Sequence, residues 1–195
     1  SKDYFYVRNL QWKMYFSGNS FIKSLFYLEN YLFSNYKIDD EIIISNLKIK
    51  WIYDQISQGK FSNEITKNLI ELNDKKILDK ILNLVELYSD IICINDEINL
   101  IEKFKTFSKK FNNLLSLSKS KNFQTSYLFQ LIQLAYKNSL NINYDLLDEY
   151  FLDTNKSSID IFETVFIEIF LKKKKKLKIT KSYYLFKLLI RSIKK

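Results

Sequence analysis

Hydrophobic residues recur along this chain at spacings of three and four positions, the period of an α-helix. None of the segments that carry them alternates with period two, so the pattern predicts helices rather than strands. Isolated helices of this length are marginal in water, and each apolar stripe therefore needs a partner. We predict an all-α, single-domain helical bundle. Its clearest stripes are Ile77, Ile81, Leu84, Tyr88, Ile91; Ile98, Ile101, Phe104, Phe107, Phe111, Leu114; and Ile159, Phe162, Val165, Phe166, Ile169, Phe170.

Helix ends in this chain must be set by Gly, Asn, Asp and Ser, because it contains no Pro. Gly18 can adopt a positive φ, and Ser20 is predicted to cap the helix that follows. Gly59 is predicted to lie at a helix C-terminus in the same way. The predicted helices span residues 2–16, 20–37, 40–58, 62–73, 74–93, 96–119, 122–138, 142–152, 158–175 and 179–193.

Composition narrows the chemistry that the chain can carry. It has 195 residues, 47% of them hydrophobic, which suits one domain with a sizeable core. It has no His and one Cys, so the catalytic and metal-binding schemes that draw on His or on clustered Cys are excluded. Cys93 lies in an apolar run and is predicted to be a buried packing thiol. No catalytic residue, metal site or cofactor is predicted.

Two acidic groups in the sequence are candidate metal sites. Residues 39–41 are Asp, Asp and Glu, but consecutive helical residues point about 100° apart and do not converge on one ion. They are predicted to lie at a helix N-terminus, where acids complement the dipole. Asp145, Asp148 and Glu149 share one helix face without an obvious second set opposite, so they are predicted to form a solvated face.

The positive charge is concentrated at the C-terminal end. Residues 171–195 contain eleven Lys or Arg and no acid, whereas the rest of the chain has 20 basic and 22 acidic side chains. This basic segment is compatible with a plain docked helix, an anionic membrane surface or, less favoured, nucleic acid such as ribosomal RNA. Tyr183, Phe186, Ile190 and Ile193 form an apolar stripe that would suit a membrane surface. The predicted binding residues are Lys172, Lys173, Lys174, Lys175, Lys176, Lys178, Lys181 and Arg191.

Two segments carry a family resemblance. Residues 24–31 read SLFYLENY, and residues 44–56 read ISNLKIKWIYDQI. In this order they resemble two helices of the squalene/phytoene synthase-like superfamily, and residues 77–90, 143–147 and 182–189 are more weakly similar to later parts of it. The resemblance covers most of the chain and implies a reduced isoprenoid-synthase fold.

The chain departs from the active members of this superfamily where they bind Mg²⁺ and prenyl diphosphate. Their first Asp-rich motif would fall near Asn35, Tyr36 and Lys37, and their second within residues 130–139, which contain no acid. The chain is therefore similar to the non-catalytic branch, which includes the mitochondrial complex I assembly factor 6 family.

The resemblance implies a non-enzymatic assembly or scaffold protein that binds protein partners in a larger complex, as in complex I biogenesis. It also implies the mitochondrial matrix or inner-membrane periphery, or the cytoplasm of an alphaproteobacterium. Two alternatives stay open. One is a prenyl-diphosphate-using synthase with degenerate metal motifs, and the other is a subunit or assembly factor of an organellar ribosome docked through the basic C-terminus.

Overall fold

The computed structural model describes residues 5–37, 41–60, 64–70, 74–117, 123–154, 159–173 and 179–193. Throughout these ranges the regular structure is helical, which confirms the all-α prediction. Among the described helices, none combines the length and apolar character that crossing a bilayer requires. The helices are α1 (Phe5–Tyr15), α2 (Ser20–Ser34), α3 (Ile42–Ser57), α4 (Glu64–Ile70), α5 (Lys75–Ile92), α6 (Glu97–Leu115), α7 (Tyr127–Asn138), α8 (Tyr144–Asp153), α9 (Ile161–Lys173) and α10 (Lys181–Ile193).

Each predicted helix corresponds to one observed helix, and most ends agree within three residues. Several predicted ends fall on residues outside the described ranges, and so do Asp39 and Asp40 of the first acidic group. Glu41 occupies the position before α3 but makes no side-chain capping bond, whereas Asp74 and Asp96 cap α5 and α6. The acids on α8, at 145, 148 and 149, are all exposed, as predicted for a solvated face.

The turn between α1 and α2 corrects one capping prediction. Gly18 has φ +84°, as its position required, but Asn19 rather than Ser20 caps α2. The Asn19 side chain accepts a hydrogen bond of 3.0 Å from the backbone N–H of Ile22. Ser20 is already the first helical residue, one position too late to accept that bond. Gly59 (φ +65°) ends α3, where Lys60 N–H donates to the Gln55 carbonyl in a Schellman arrangement.

The predicted stripes on α5, α6 and α9 face the core, with one exception. Ile98, at the start of α6, is exposed, and Leu100 is the first buried residue of that helix. A step of three residues turns a helix by 300°, so each such step moves the stripe by about 60°. Ile98 lies two such steps before Phe104, so its side chain is rotated by about 120° from that of Phe104 and leaves the buried face.

Helix α7 lies at the centre of the bundle. It packs against α2, α6, α8 and α9, and each of its residues from 128 to 135 is buried. Around it, α1 packs on α2 and α9, α5 on α3 and α6, and α10 on α9. Because α7 is enclosed on all sides, any polar side chain in this stretch must find its partner inside the protein.

Cys93 is exposed, contrary to the prediction of a buried thiol. The apolar run that contains it does not continue across the core. Ile91 and Ile92 are buried, and Cys93 is the C-terminal capping residue of α5, where the chain leaves the helix. The end of the helix, which hydrophobicity alone does not reveal, therefore decides its exposure.

Replacing the cap of α2 distinguishes the two adjacent residues. We expect Asn19→Ala to lower the free energy of unfolding by about 1 kcal/mol, because the N–H of Ile22 loses its acceptor. Ser20→Ala, the matched control, should change it by less than about 0.5 kcal/mol. Urea unfolding followed by circular dichroism measures both. A larger effect at Ser20 than at Asn19 would contradict this assignment.

Candidate functional site: a buried Arg8 cluster and two exposed helix faces

The predicted lysine site lies at the junction of α9 and α10. Lys172 and Lys173 end α9 and Lys181 begins α10, with Lys172 and Lys181 exposed. Arg191 lies further along α10 and donates to Glu168 of α9 at 2.6 Å, so its charge is partly neutralised within the molecule. The other predicted residues, Lys174, Lys175, Lys176 and Lys178, lie outside the described ranges. The grouping therefore stays a prediction.

A fully buried arginine forms the most elaborate polar site in the described structure. Arg8 of α1 binds both carboxylate oxygens of Glu29 on α2, with Nε–Oε2 and Nη2–Oε1 distances of 2.7 Å each. Its Nη1 donates to Glu163 Oε1 on α9 at 2.8 Å. All three side chains are completely shielded from solvent. One guanidinium thus joins two carboxylates from two different helices.

Further donors complete the Arg8 cluster, which we define as Arg8, Gln11, Glu29, Thr125, Gln130, Gln133 and Glu163. Glu163 accepts from the Thr125 hydroxyl at 2.6 Å and from the Ser126 backbone N–H at 2.7 Å. On the other side, Gln130 of α7 donates to Glu29 at 2.7 Å. Both carboxylates are therefore bound by several donors at once, as buried charges require.

Aromatic rings enclose the guanidinium. Its central carbon lies 5.0 Å from the ring centre of Phe26 and 4.7 Å from that of Phe129. Phe111 approaches from α6 at 5.9 Å. At these distances the ring faces attract the cation, and they exclude water from the ion pairs. Arg8 therefore stands in an environment where its interactions with the two carboxylates are strong.

The surroundings of Glu163 raise its pKa. Burial raises the pKa of Glu163 from its ordinary 4.5 to about 7, although Arg8 and the donors at Thr125 and Ser126 act in the opposite direction. Asp160 raises it further. Asp160 lies at the start of α9, where it accepts hydrogen bonds from Gln11 at 3.0 Å and from the Tyr15 hydroxyl. Burial and this bond raise the pKa of Tyr15.

The cluster occupies the region where the resembled family would place its second Asp-rich motif. Residues 130–139 contribute Gln130 and Gln133, whose amide groups face Glu29. Their carbonyl oxygens have no hydrogen-bond partner among the described residues, so the carboxylate sets the amide orientation. Near the expected first motif, Asn35 and Tyr36 are buried at the end of α2. Within the described ranges, no group of three or more His, Cys, Asp or Glu could hold a metal ion.

The sequence interpretation missed this cluster, although a signal was present. Glu29, Gln130, Gln133 and Glu163 each interrupt a stretch of apolar residues within a helix. A charged or amide side chain at such a position must be paired if the helix is buried. Arg8 gives no comparable signal, because an arginine near other polar residues is most often exposed.

A stripe of apolar side chains lies exposed along α3. Ile43, Leu47 and Trp51 follow each other at intervals of four residues and are 44–75% exposed. The opposite face of α3 packs on α4 and α5 through buried residues such as Ile49 and Ile52. Tyr31 of α2 lies beside Trp51, with ring centres 6.3 Å apart. We call Ile43, Leu47 and Trp51 the α3 stripe.

A second exposed apolar face lies on α10. Leu185, Phe186 and Leu189 are 38–59% exposed, whereas Tyr184 is buried against the bundle. The stripe predicted for this helix was Tyr183, Phe186, Ile190 and Ile193. The structure separates it, since Phe186 points to solvent and Tyr183 and Ile190 are half-buried. We call Leu185, Phe186 and Leu189 the α10 face.

Tyr4, Trp12, Tyr15 and Tyr27 are aromatic residues of the N-terminal region that could contact a partner if they were exposed, but two of them form hydrogen bonds within the bundle. Trp12 donates its indole N–H to the Asn19 carbonyl, and Tyr15 bonds to Asp160. Both residues and Tyr27 are half-buried, and Tyr4 lies outside the described ranges.

Comparison of this chain with protein-family models, with curated proteins and with solved structures finds no match. The relationship to the squalene/phytoene synthase-like superfamily thus stays a prediction from the sequence.

Removing the arginine should be strongly destabilising. We expect Arg8→Met to lower the free energy of unfolding by about 3–5 kcal/mol, because it leaves two buried carboxylates without their cation. Lys13→Met on the exposed side of α1 is the matched control and should change it little. The triple variant R8M/E29Q/E163Q should recover part of the loss. Denaturant unfolding measures all three, and a cost below about 1 kcal/mol for Arg8→Met would contradict the assigned role.

The titration of Glu163 should be visible in the pH dependence of stability. Folding raises the pKa of Glu163, so the folded state binds this proton more tightly than the unfolded state does. The resulting stabilisation is fully present below about pH 4.5 and is lost as the pH rises through about 7. Relative to Glu163→Gln, which cannot titrate, the wild type should therefore become less stable over this interval, by at most about 1.4 kcal/mol per pH unit. Unfolding curves at successive pH values test this. A difference that grows in the opposite direction would refute it.

Proposed function

We propose that this chain is a non-enzymatic assembly or scaffold protein that holds a protein partner against the α3 stripe. The observation that carries the proposal is the exposure of Ile43, Leu47 and Trp51 in one line along a helix whose other face is packed. Three large apolar side chains one turn apart match the pattern by which a helix docks onto another protein.

The composition of the stripe supports an interface. Binding energy at protein interfaces is concentrated in a few residues, with Trp and Tyr enriched among them. Trp51 has Tyr31 beside it, and the Tyr31 hydroxyl donates to the Lys48 carbonyl at 3.1 Å, which fixes the tyrosine ring against α3. A partner would therefore meet a preorganised pair of aromatic rings, whose ordering cost has already been met by folding.

The interior supports a structural rather than a catalytic use of its carboxylates. Synthases of the resembled superfamily use facing acids to bind Mg²⁺ and diphosphate. Here the facing acids Glu29 and Glu163 both bind Arg8, and the rings of Phe26 and Phe129 cover the guanidinium. These side chains fill the centre and stabilise the junction of α1, α2, α7 and α9.

The resemblance directs the proposal towards one kind of assembly. The non-catalytic branch that the sequence is similar to includes complex I assembly factors, so we propose that the partner belongs to respiratory complex I or its biogenesis. The α3 stripe lies within residues 44–56 and just before them, where that resemblance is most specific. A synthase would bind farnesyl diphosphate in the presence of Mg²⁺, and heat of binding in a calorimetric titration would count against the scaffold.

The α3 stripe should be required for association with the partner. We expect the variant I43S/L47S/W51S, expressed in the source cells, to lose most of its co-purifying partner, because three apolar contacts are removed together. The matched control is M14S/L152S, which also removes large exposed apolar side chains, from α1 and α8. Quantitative mass spectrometry of the affinity-purified full chain compares the two.

Cross-linking of the same purified material locates the contact. Lys48 and Lys50 are exposed on either side of the α3 stripe, whereas Lys75 and Lys76 lie exposed at the start of α5. The proposal expects cross-links to the partner from the first pair in preference to the second. Equal partner recovery with both variants, or cross-links from Lys75 and Lys76 alone, would overturn it. Cross-links to ribosomal proteins would identify the ribosomal alternative.

A further inference from the structure

The α10 face is held outward by contacts on the opposite side of the helix. Tyr184 is fully buried, and its hydroxyl donates to the Phe162 carbonyl at 2.8 Å. Its ring packs edge-on against Tyr6 at 5.1 Å. Ile179, just before the helix, is buried and donates its N–H to the Tyr136 hydroxyl at 3.0 Å. The bundle therefore fixes the rotation of α10 and leaves Leu185, Phe186 and Leu189 facing solvent.

Basic side chains border this face on both sides. At about 100° per residue, Leu185, Phe186 and Leu189 lie within an arc of roughly 100° of the helix circumference. Lys181 flanks one edge of that arc and Lys187 the other, and both are exposed. The sequence from 171 to 195 adds no acid to this charge and contains eleven basic residues in all. The charged side chains that α10 itself places beside this apolar centre are therefore all basic.

We propose that the α10 face binds the surface of an anionic lipid bilayer. Leu185, Phe186 and Leu189 enter the boundary between headgroups and acyl chains, with α10 parallel to the membrane plane. Lys181 and Lys187 extend along the edges of the helix, and their ammonium groups reach the lipid phosphates. The acid-free basic segment adds long-range attraction to the negative surface.

The charge and apolar character of the face favour this occupant over two others. A second copy of the chain would bring a segment of the same positive sign against it, and like charges oppose that contact. Nucleic acid would be attracted by the lysines. A duplex backbone, however, presents phosphates rather than an apolar medium, so contact with it would not bury the three apolar side chains at the centre of the face. The surface is separate from the α3 stripe, so a protein partner and a membrane can be bound by different helices.

Flotation with lipid vesicles tests the proposal on the full chain. We expect the protein to float with vesicles of phosphatidylcholine containing about one third phosphatidylglycerol, and to float much less with phosphatidylcholine alone. L185S/F186S/L189S should reduce binding to the anionic vesicles by about tenfold or more, because the apolar contribution is removed. K181Q/K187Q should weaken it to a smaller degree and reduce its sensitivity to salt.

The matched control is M14S/I98S/L152S, which removes three exposed apolar side chains from α1, α6 and α8. It should float like the wild type, and circular dichroism of every variant confirms that the bundle is folded. Failure of the wild type to bind either vesicle would overturn the proposal. So would unchanged anionic binding by L185S/F186S/L189S, or single-stranded RNA binding that exceeds vesicle binding and survives that substitution. Partner binding is tested separately with I43S/L47S/W51S. A failure of vesicle binding is therefore distinguishable from a failure of partner binding.

Discussion

The bundle depends on one cation placed between two buried carboxylates. Arg8 connects α1 to α2 through Glu29 and to α9 through Glu163, and Thr125 joins the segment that enters α7. Taking these charges out of water is costly, and the cost is offset only when every donor and acceptor is paired in good geometry. An arrangement of these four helices that separated Arg8 from either carboxylate would leave a buried charge unpaired, at a cost of about 3–5 kcal/mol.

The helices could be predicted from the sequence because their signals are local. Spacings of three and four residues, Gly18 and Gly59, and acids such as Asp74 and Asp96 place the ends within a few positions. The predictions were wrong where the exact end of a helix, or its rotation about its axis, determines which side chain caps it or is exposed. Asn19 rather than Ser20 is the cap of α2, and Cys93 is exposed at the end of α5. On α10, Tyr183 and Ile190 of the predicted stripe are half-buried, whereas Leu185 and Leu189 are exposed.

The Arg8 cluster could not be predicted in the same way, because its members are distant in the chain. Arg8 lies 21 residues from Glu29 and 155 residues from Glu163. Periodicity shows that Glu163 lies among core residues, but it does not show which cation meets it. That pairing follows from the crossing of α1, α2 and α9, which is a property of the assembled bundle. The basic C-terminal segment, by contrast, was visible in composition, although composition did not reveal which apolar residues face outward.

The long separation between Arg8 and Glu163 has a consequence for synthesis on the ribosome. The pair of α1 and α2 can form early, with Arg8 held by Glu29 alone, but the remaining guanidinium nitrogen has no carboxylate until α9 has emerged. Contacts of such sequence separation form slowly, and incomplete chains expose apolar surface meanwhile. The Arg8 cluster therefore cannot be completed until Glu163 and the rest of α9 have left the ribosome.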